Sequence, residues 1–238
     1  MQRRRSSPRG RPFLALWRGF GATALEARQP MPGDEILTSP IGQVTHACTI
    51  QAPPERIWPW LVQTGQGRAG FYSDARWWDA CVDFYYRVLA REQGDTPERY
   101  THLDDEVVAD WQDLDVGSVI RDGPPGTAYY VVRAMTPQQL LVTFTDTHLP
   151  HLVPRPLRST VHGEVTDVTM LVPVNSDSTR LVRRCRFTSE PGAFRLLTVP
   201  VVLLWGEALT ARRFIRGVKQ RAERPIDPPR PWTESPSR

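Results

Sequence analysis

The sequence predicts a single α+β domain in which a curved antiparallel β-sheet wraps around one long C-terminal α-helix. Three observations carry this: a period-2 strand near Val44 followed by two helical stretches, five strand-like runs joined by short links between Ser118 and Phe187, and an amphipathic stripe over Val201–Glu223. With 238 residues, 40% of them apolar, the chain can bury one substantial core and is short for two.

Residues 1–35 read as a basic, proline-containing extension, mostly disordered, 36–223 as the folded ligand-binding domain, and 224–238 as a proline-rich disordered tail. In Val44–Gln51, Val44, His46, Cys48 and Ile50 alternate with Gln43, Thr45, Ala47 and Thr49, the signature of a strand. Ala52-Pro53-Pro54-Glu55 then turns into a short helix bearing Ile57, Trp58, Trp60, Leu61 and Val62, which stops at Gly65. From Asp74 to Arg91, Trp77, Trp78, Cys81, Tyr85, Val88 and Leu89 recur at helical spacings.

The strand-like runs are Ser118–Arg121, Ala128–Ala134, Gln139–Thr145, Val165–Val174 and Thr179–Phe187, with hairpin links at Met135–Gln138 and Asn175–Ser178. In the closing helix, Leu204, Ala208, Ala211, Ile215, Val218 and Ala222 oppose Arg212, Arg213, Arg216, Lys219 and Gln220. A helix laid on one face of a curved sheet leaves a gap, which side chains fill or a ligand occupies.

The order of elements resembles the START-like, or SRPBCC, helix-grip superfamily. Ile50-Gln51-Ala52-Pro53-Pro54-Glu55-Arg56-Ile57-Trp58-Pro59-Trp60-Leu61 is similar to its opening. Gln63-Thr64-Gly65-Gln66-Gly67-Arg68-Ala69-Gly70-Phe71-Tyr72-Ser73 and Thr179–Arg186 resemble segments of the bacterial branch labelled polyketide cyclase/dehydrase-like, although Asp74-Ala75-Arg76 stands where that branch often has Tyr-Asp. The resemblance spans roughly 36–223 and implies a cavity between sheet and C-terminal helix. The superfamily includes lipid carriers, hormone receptors and cyclases, so the fold does not by itself fix the activity.

Composition excludes several classes. Residues 1–30 hold seven arginines against Glu26 alone, which leaves the rest of the chain net negative and argues against nucleic-acid binding by the domain. The same cations suit weak contact with anionic membranes. Cys48, Cys81 and Cys185 are odd in number and widely spaced, which points to a reducing cytoplasm and to neither disulfides nor a metal site. His148 and His151 lack a third ligand nearby, so no metal is expected. Gly65-Gln66-Gly67-Arg68-Ala69-Gly70 fits G-x-G-x-x-G literally, but a helix rather than a strand precedes it, so it reads as a tight loop and no cofactor is expected.

The expected ligand is a hydrophobic or amphipathic small molecule, with Trp60, Arg68, Phe71, Tyr72, Trp78, Tyr130, Phe144, Arg183, Trp205 and Glu207 as candidate contacts. The alternatives are a polyketide cyclase or aromatase using the same cavity, with Glu207 or Tyr72 as weak catalytic candidates, and an interaction protein with a filled cavity. Strand alternation sends Arg183 to one face and Arg184 with Arg186 to the other. One set is expected in solvent, with Glu164, Asp167 and Glu207 as partners for an inward arginine. His46, His162 and Asp74 complete the acid–base inventory.

Overall fold

The computed structural model describes residues 15–72, 76–93 and 105–225. Its elements are β1 (Ala15–Arg18), α1 (Ala24–Arg28), β2 (Gly42–Ile50), α2 (Pro54–Val62), α3 (Arg76–Gln93), β3 (Val119–Arg121), β4 (Tyr129–Thr136), β5 (Leu140–Thr145), β6 (Val165–Asn175) and β7 (Ser178–Phe187). A continuous C-terminal helix follows, made of α4 (Arg195–Pro200), a segment with i→i+5 hydrogen bonding (Val201–Ala211) and α5 (Arg212–Glu223). The seven strands lie in the order β1-β2-β7-β6-β5-β4-β3, antiparallel throughout except for β1 beside β2. This is the α+β helix-grip architecture that the sequence predicts, with an added parallel strand at one edge.

The inner face of the sheet meets the helix. Ile50, Leu171 and Leu181 from β2, β6 and β7 pack with Ile57 and Leu61 of α2 and with Ile215 and Val218 of α5. Each of these side chains contributes about 1.5–3 kcal/mol by leaving water. The closest approach is at Gly217, where an added Cβ would stand 2.4 Å from the Tyr72 carbonyl oxygen. Tyr72 itself has φ of 50°, a conformation unfavourable for a bulky residue. Its burial offsets that cost: the hydroxyl donates to the Trp60 carbonyl at 2.9 Å, the ring stacks on Phe214, and the Arg221 guanidinium lies 4.5 Å from its centroid.

The outer face corrects the expectation of a mostly disordered 1–35. Residues 15–35 take up structure, because after Phe20 the chain passes around the β2 edge and lies across the sheet. Ala22 and Met31 of this arm pack on Ala47, Val142, Val168 and Val182. Arg184 and Arg186, one set of which could have stood in solvent, are instead covered by it, and Arg184 is only 1% exposed. Arg184 donates to Asp34 Oδ2 at 2.6 Å and to the Glu26 carbonyl at 2.7 Å, while Arg186 bonds the Asp34 carbonyl. Further along β7 Arg180 holds Glu26 at 2.7 Å, and this guanidinium draws the Glu26 carboxyl down to about 2 against its partial burial.

The C-terminal helix begins earlier than Val201, at Arg195, and Pro200 is the last residue before the hydrogen-bond ladder changes to i→i+5. By length and composition the stretch Gly192–Glu223 could cross a membrane, yet here α5 lies on α2 and β2, while Leu196 stands 83% exposed. Asp74, residues 1–14 and the tail beyond Pro225 lie outside the described residues.

Two substitutions check this packing. In most helix interiors Gly→Ala stabilises, but Gly217→Ala is expected to destabilise by roughly 1–3 kcal/mol in urea unfolding because the neighbour is backbone. Asp34→Ala strips the buried Arg184 of its carboxylate and should cost about 3–5 kcal/mol; a loss below about 1 kcal/mol would show that the arm does not cover this face in solution.

Candidate functional site

Between the sheet and the helix lie two adjoining chambers of about 100 and 210 Å³. Tyr130, Asp167, Arg183, Asp122 and Thr210 border both. The first is walled by Leu61, Phe71, Ile120, Leu141 and Phe214, the second by Tyr85, Tyr86, Leu149, Leu152 and Val202. The walls are mostly apolar. Among the described residues, then, side chains do not fill the hollow, as the alternative would have it.

The floor is charged. Arg183 on β7 stands opposite His46 on β2, and Asp167 on β6 sits one diagonal step away, so strand register alone gathers the three. Arg183 Nη2 donates to Asp167 Oδ2, and its Nη1 lies 3.6 Å from Glu207 Oε2. Glu207 comes from the i→i+5 segment, where it and Val202, five residues apart, are both buried.

His46 closes the arrangement. Its Nδ1 accepts the Phe20 backbone N–H at 2.9 Å, which requires the neutral tautomer with hydrogen on Nε2. Nε2 then donates to Glu207 Oε2 at 3.0 Å.

These contacts separate the two carboxyls. Burial raises Asp167, and the Glu207 charge adds to that, so that despite Arg183 it is pushed up to about 6. Burial would also raise Glu207, but Arg183, the His46 hydrogen bond and the Cys185 thiol outweigh it, and Glu207 is held below the usual carboxylate range. Burial keeps the Tyr130 phenol and the Cys185 thiol protonated.

A second polar group stands at the far wall. His148 Nε2 meets Asp122 Oδ2 at 2.9 Å and its Nδ1 meets Thr145 Oγ1 at 2.7 Å, while the Tyr86 hydroxyl donates to Asp122 Oδ1 at 3.0 Å. The Tyr130 and His148 rings are 4.5 Å apart. Among the described residues no group of three or more His, Cys, Asp or Glu side chains is placed to hold a metal ion.

Several expected contacts are elsewhere. Of the ten, Phe71, Tyr130, Arg183 and Glu207 border the chambers. Trp60 and Tyr72 belong to the core beside them, joined edge to face and by the Tyr72 hydroxyl, which leaves Tyr72 no proton to offer a ligand. Arg68 is turned to the Trp111 carbonyl, and the glycine loop folds on itself through paired Gly65 and Gly70 backbone bonds, with Gly65, Gly67 and Gly70 at positive φ. Phe144 points to the outer face with Val142, under the Arg133 guanidinium. The side chains of Trp78 and Trp205 lie outside the described residues. Of the other histidines, His151 borders the second chamber, and exposed His162 lies on a separate polar cleft.

No protein-family model matches the chain, and no curated protein matches it. Solved structures share the architecture at low identity. A hypothetical protein from Helicobacter pylori is 10% identical over 81% of this chain and 95% of its own, with a TM-score of 0.44. A point mutant of norcoclaurine synthase from Thalictrum flavum, solved with a transition-state analogue, is 13% identical over 76% and 92%, with a TM-score of 0.39. A protein from Mesorhizobium loti is 13% identical over 75% and 95%, with a TM-score of 0.37. The likeness is one of fold.

The raised Asp167 carboxyl sets a pH dependence with a definite sign. In the unfolded chain the group titrates near 3.8 and in the fold near 6, so the folded state holds the extra proton between these values. Its stabilising contribution is complete below about pH 4 and is lost as pH rises through about 6. Relative to wild type, Asp167→Asn should therefore gain on the order of 3 kcal/mol between pH 4 and 7, read by urea unfolding at each pH. An unchanging difference would place the Asp167 carboxyl in water.

Proposed function

We propose that the protein binds a small amphipathic molecule, its apolar body between the sheet and the C-terminal helix and its polar end on the floor. One observation carries this reading: polar atoms with bonding capacity to spare face an unfilled hollow. Arg183 Nη1 is buried without a hydrogen bond. Among the described residues neither Asp167 Oδ1 nor the Tyr130 hydroxyl has a hydrogen-bond partner. Natural interiors satisfy nearly all buried polar groups, so the buried Arg183 Nη1, with the Asp167 and Tyr130 oxygens open beside it, points to an occupant that supplies partners.

Asp167 supports a second reading. A carboxyl held near 6 beside a cavity is poised to give and take protons at neutral pH, as proton transfer in a cyclase or dehydrase requires. The polyketide cyclase/dehydrase-like segments noted in the sequence agree with it. Here Asp167 is the proton-transfer group, since Glu207 is held ionised by its neighbours.

Thr210 borders both chambers from the helix, so Thr210→Trp fills them. Mass spectrometry of small molecules extracted from purified wild type is expected to reveal a compound missing from Thr210→Trp preparations. Identical extracts from both proteins would count against a binding role for this hollow.

A further inference from the structure

We infer that the polar end of the bound molecule is a cation, a protonated amine carried on an apolar or aromatic body; this rests on the binding reading above. The argument starts from the charge on the floor. Asp167 and Glu207 share one guanidinium, that of Arg183. Among the described residues the groups touching this trio bring no further positive charge: His46 is fixed as a neutral donor by the Phe20 N–H, and the Cys185 thiol and Tyr130 phenol are protonated. Asp122, bonded by His148 and Tyr86 at the far wall, adds no net positive charge either. One negative charge is therefore in excess, and inside a hollow it must be met by a proton or by a ligand cation.

Bonding places that excess on Asp167. Glu207 accepts from His46 at 3.0 Å and has Arg183 at 3.6 Å, whereas Asp167 has Arg183 on Oδ2 alone. Asp167 borders both chambers, among the surroundings a cation favours. The aromatic side chains of Phe71, Tyr130 and Phe214 line the first chamber, where Phe214 already has the Arg183 guanidinium 5.8 Å from its ring, and the Thr143, Thr169 and Thr210 hydroxyls can accept from an ammonium. A carboxylate ligand would instead bring a third anion to one guanidinium. The unbonded Arg183 Nη1 does not reverse this, because Glu207 already stands close enough to neutralise it.

Three probes of like shape test the sign: phenethylamine, phenethyl alcohol and hydrocinnamate, titrated calorimetrically into the full-length protein at neutral pH. The amine should bind roughly tenfold or more tightly than the alcohol, as expected for bonds to a charged group, and hydrocinnamate more weakly than either. Asp167→Asn should erase the amine's advantage and leave the alcohol unchanged, and Thr210→Trp should remove all binding. Alcohol or hydrocinnamate binding that equals the amine's overturns the inference while the cavity reading stands. Amine binding that survives Thr210→Trp places it outside the hollow and overturns it too. No binding of any probe removes both readings. Should Asp167→Asn not fold, the ranking on wild type alone decides.

Discussion

A guanidinium cannot be left dry and alone between a sheet and a helix, and Arg183 sets this constraint on the whole fold. Removing one partner of a buried pair costs about 3–5 kcal/mol, a large share of a domain's net stability. The register that brings Asp167 diagonal to Arg183, and the helix position that lowers Glu207 toward it, are therefore tied to one another. The hollow follows from the same requirement. Here Arg183, Asp167 and Glu207 meet between sheet and helix, whereas around Gly217 the helix comes down onto the Tyr72 backbone. Close contact at one end and separation at the other make a grip with an open palm.

The outer face turns this into a two-sided structure. Antiparallel sheets commonly leave one face in water, but β2 and β7 are buried on both. The arm that covers the outer face also reaches the cavity, since Phe20 gives its N–H to His46 before the chain crosses the edge. His46 in turn holds Glu207. The arm thus serves twice: Asp34 and the Glu26 carbonyl satisfy Arg184 outside, and one backbone amide fixes a tautomer inside. Losing it would expose apolar β-strand surface and leave His46 Nδ1 without its backbone donor.

Much of the fold was legible because its elements repeat with clean periods. Alternation located β2 and β7 and separated Arg183 from Arg184 and Arg186 correctly. The fate of the outward pair was not legible, since its cover comes from residues 22–37, whose glycines and prolines give no period and whose burial arises only against distant strands. Phe144 was misplaced for a different reason: in Leu140–Thr145 the wholly apolar face of Leu140, Val142 and Phe144 is the one turned outward, and the face carrying Thr143 meets the cavity, so polarity pointed the wrong way. Tyr72 and Trp60 share the composition of a pocket wall, and only the left-handed backbone at Tyr72 turns its ring into the core. One signal was available and underused. Asp167 has the strand parity of Val165 and Leu171, both buried inward, which marks it as a cavity group and more than a partner for Arg183.

An apolar inventory and a charged floor impose different demands, and their combination narrows what the hollow can hold. Apolar walls reward any greasy molecule by area, without discrimination. The floor discriminates, because its groups were desolvated when the protein folded and a ligand must do better than water at meeting them. Asp167 bears that tension most directly. Its carboxyl sits near 6 because neither burial nor Arg183 fully prevails, so the site can resolve its excess charge by taking a proton or by taking a guest. Binding and proton transfer are then two uses of one imbalance, and a guest that brings its own positive charge is the one for which Asp167 need not be protonated.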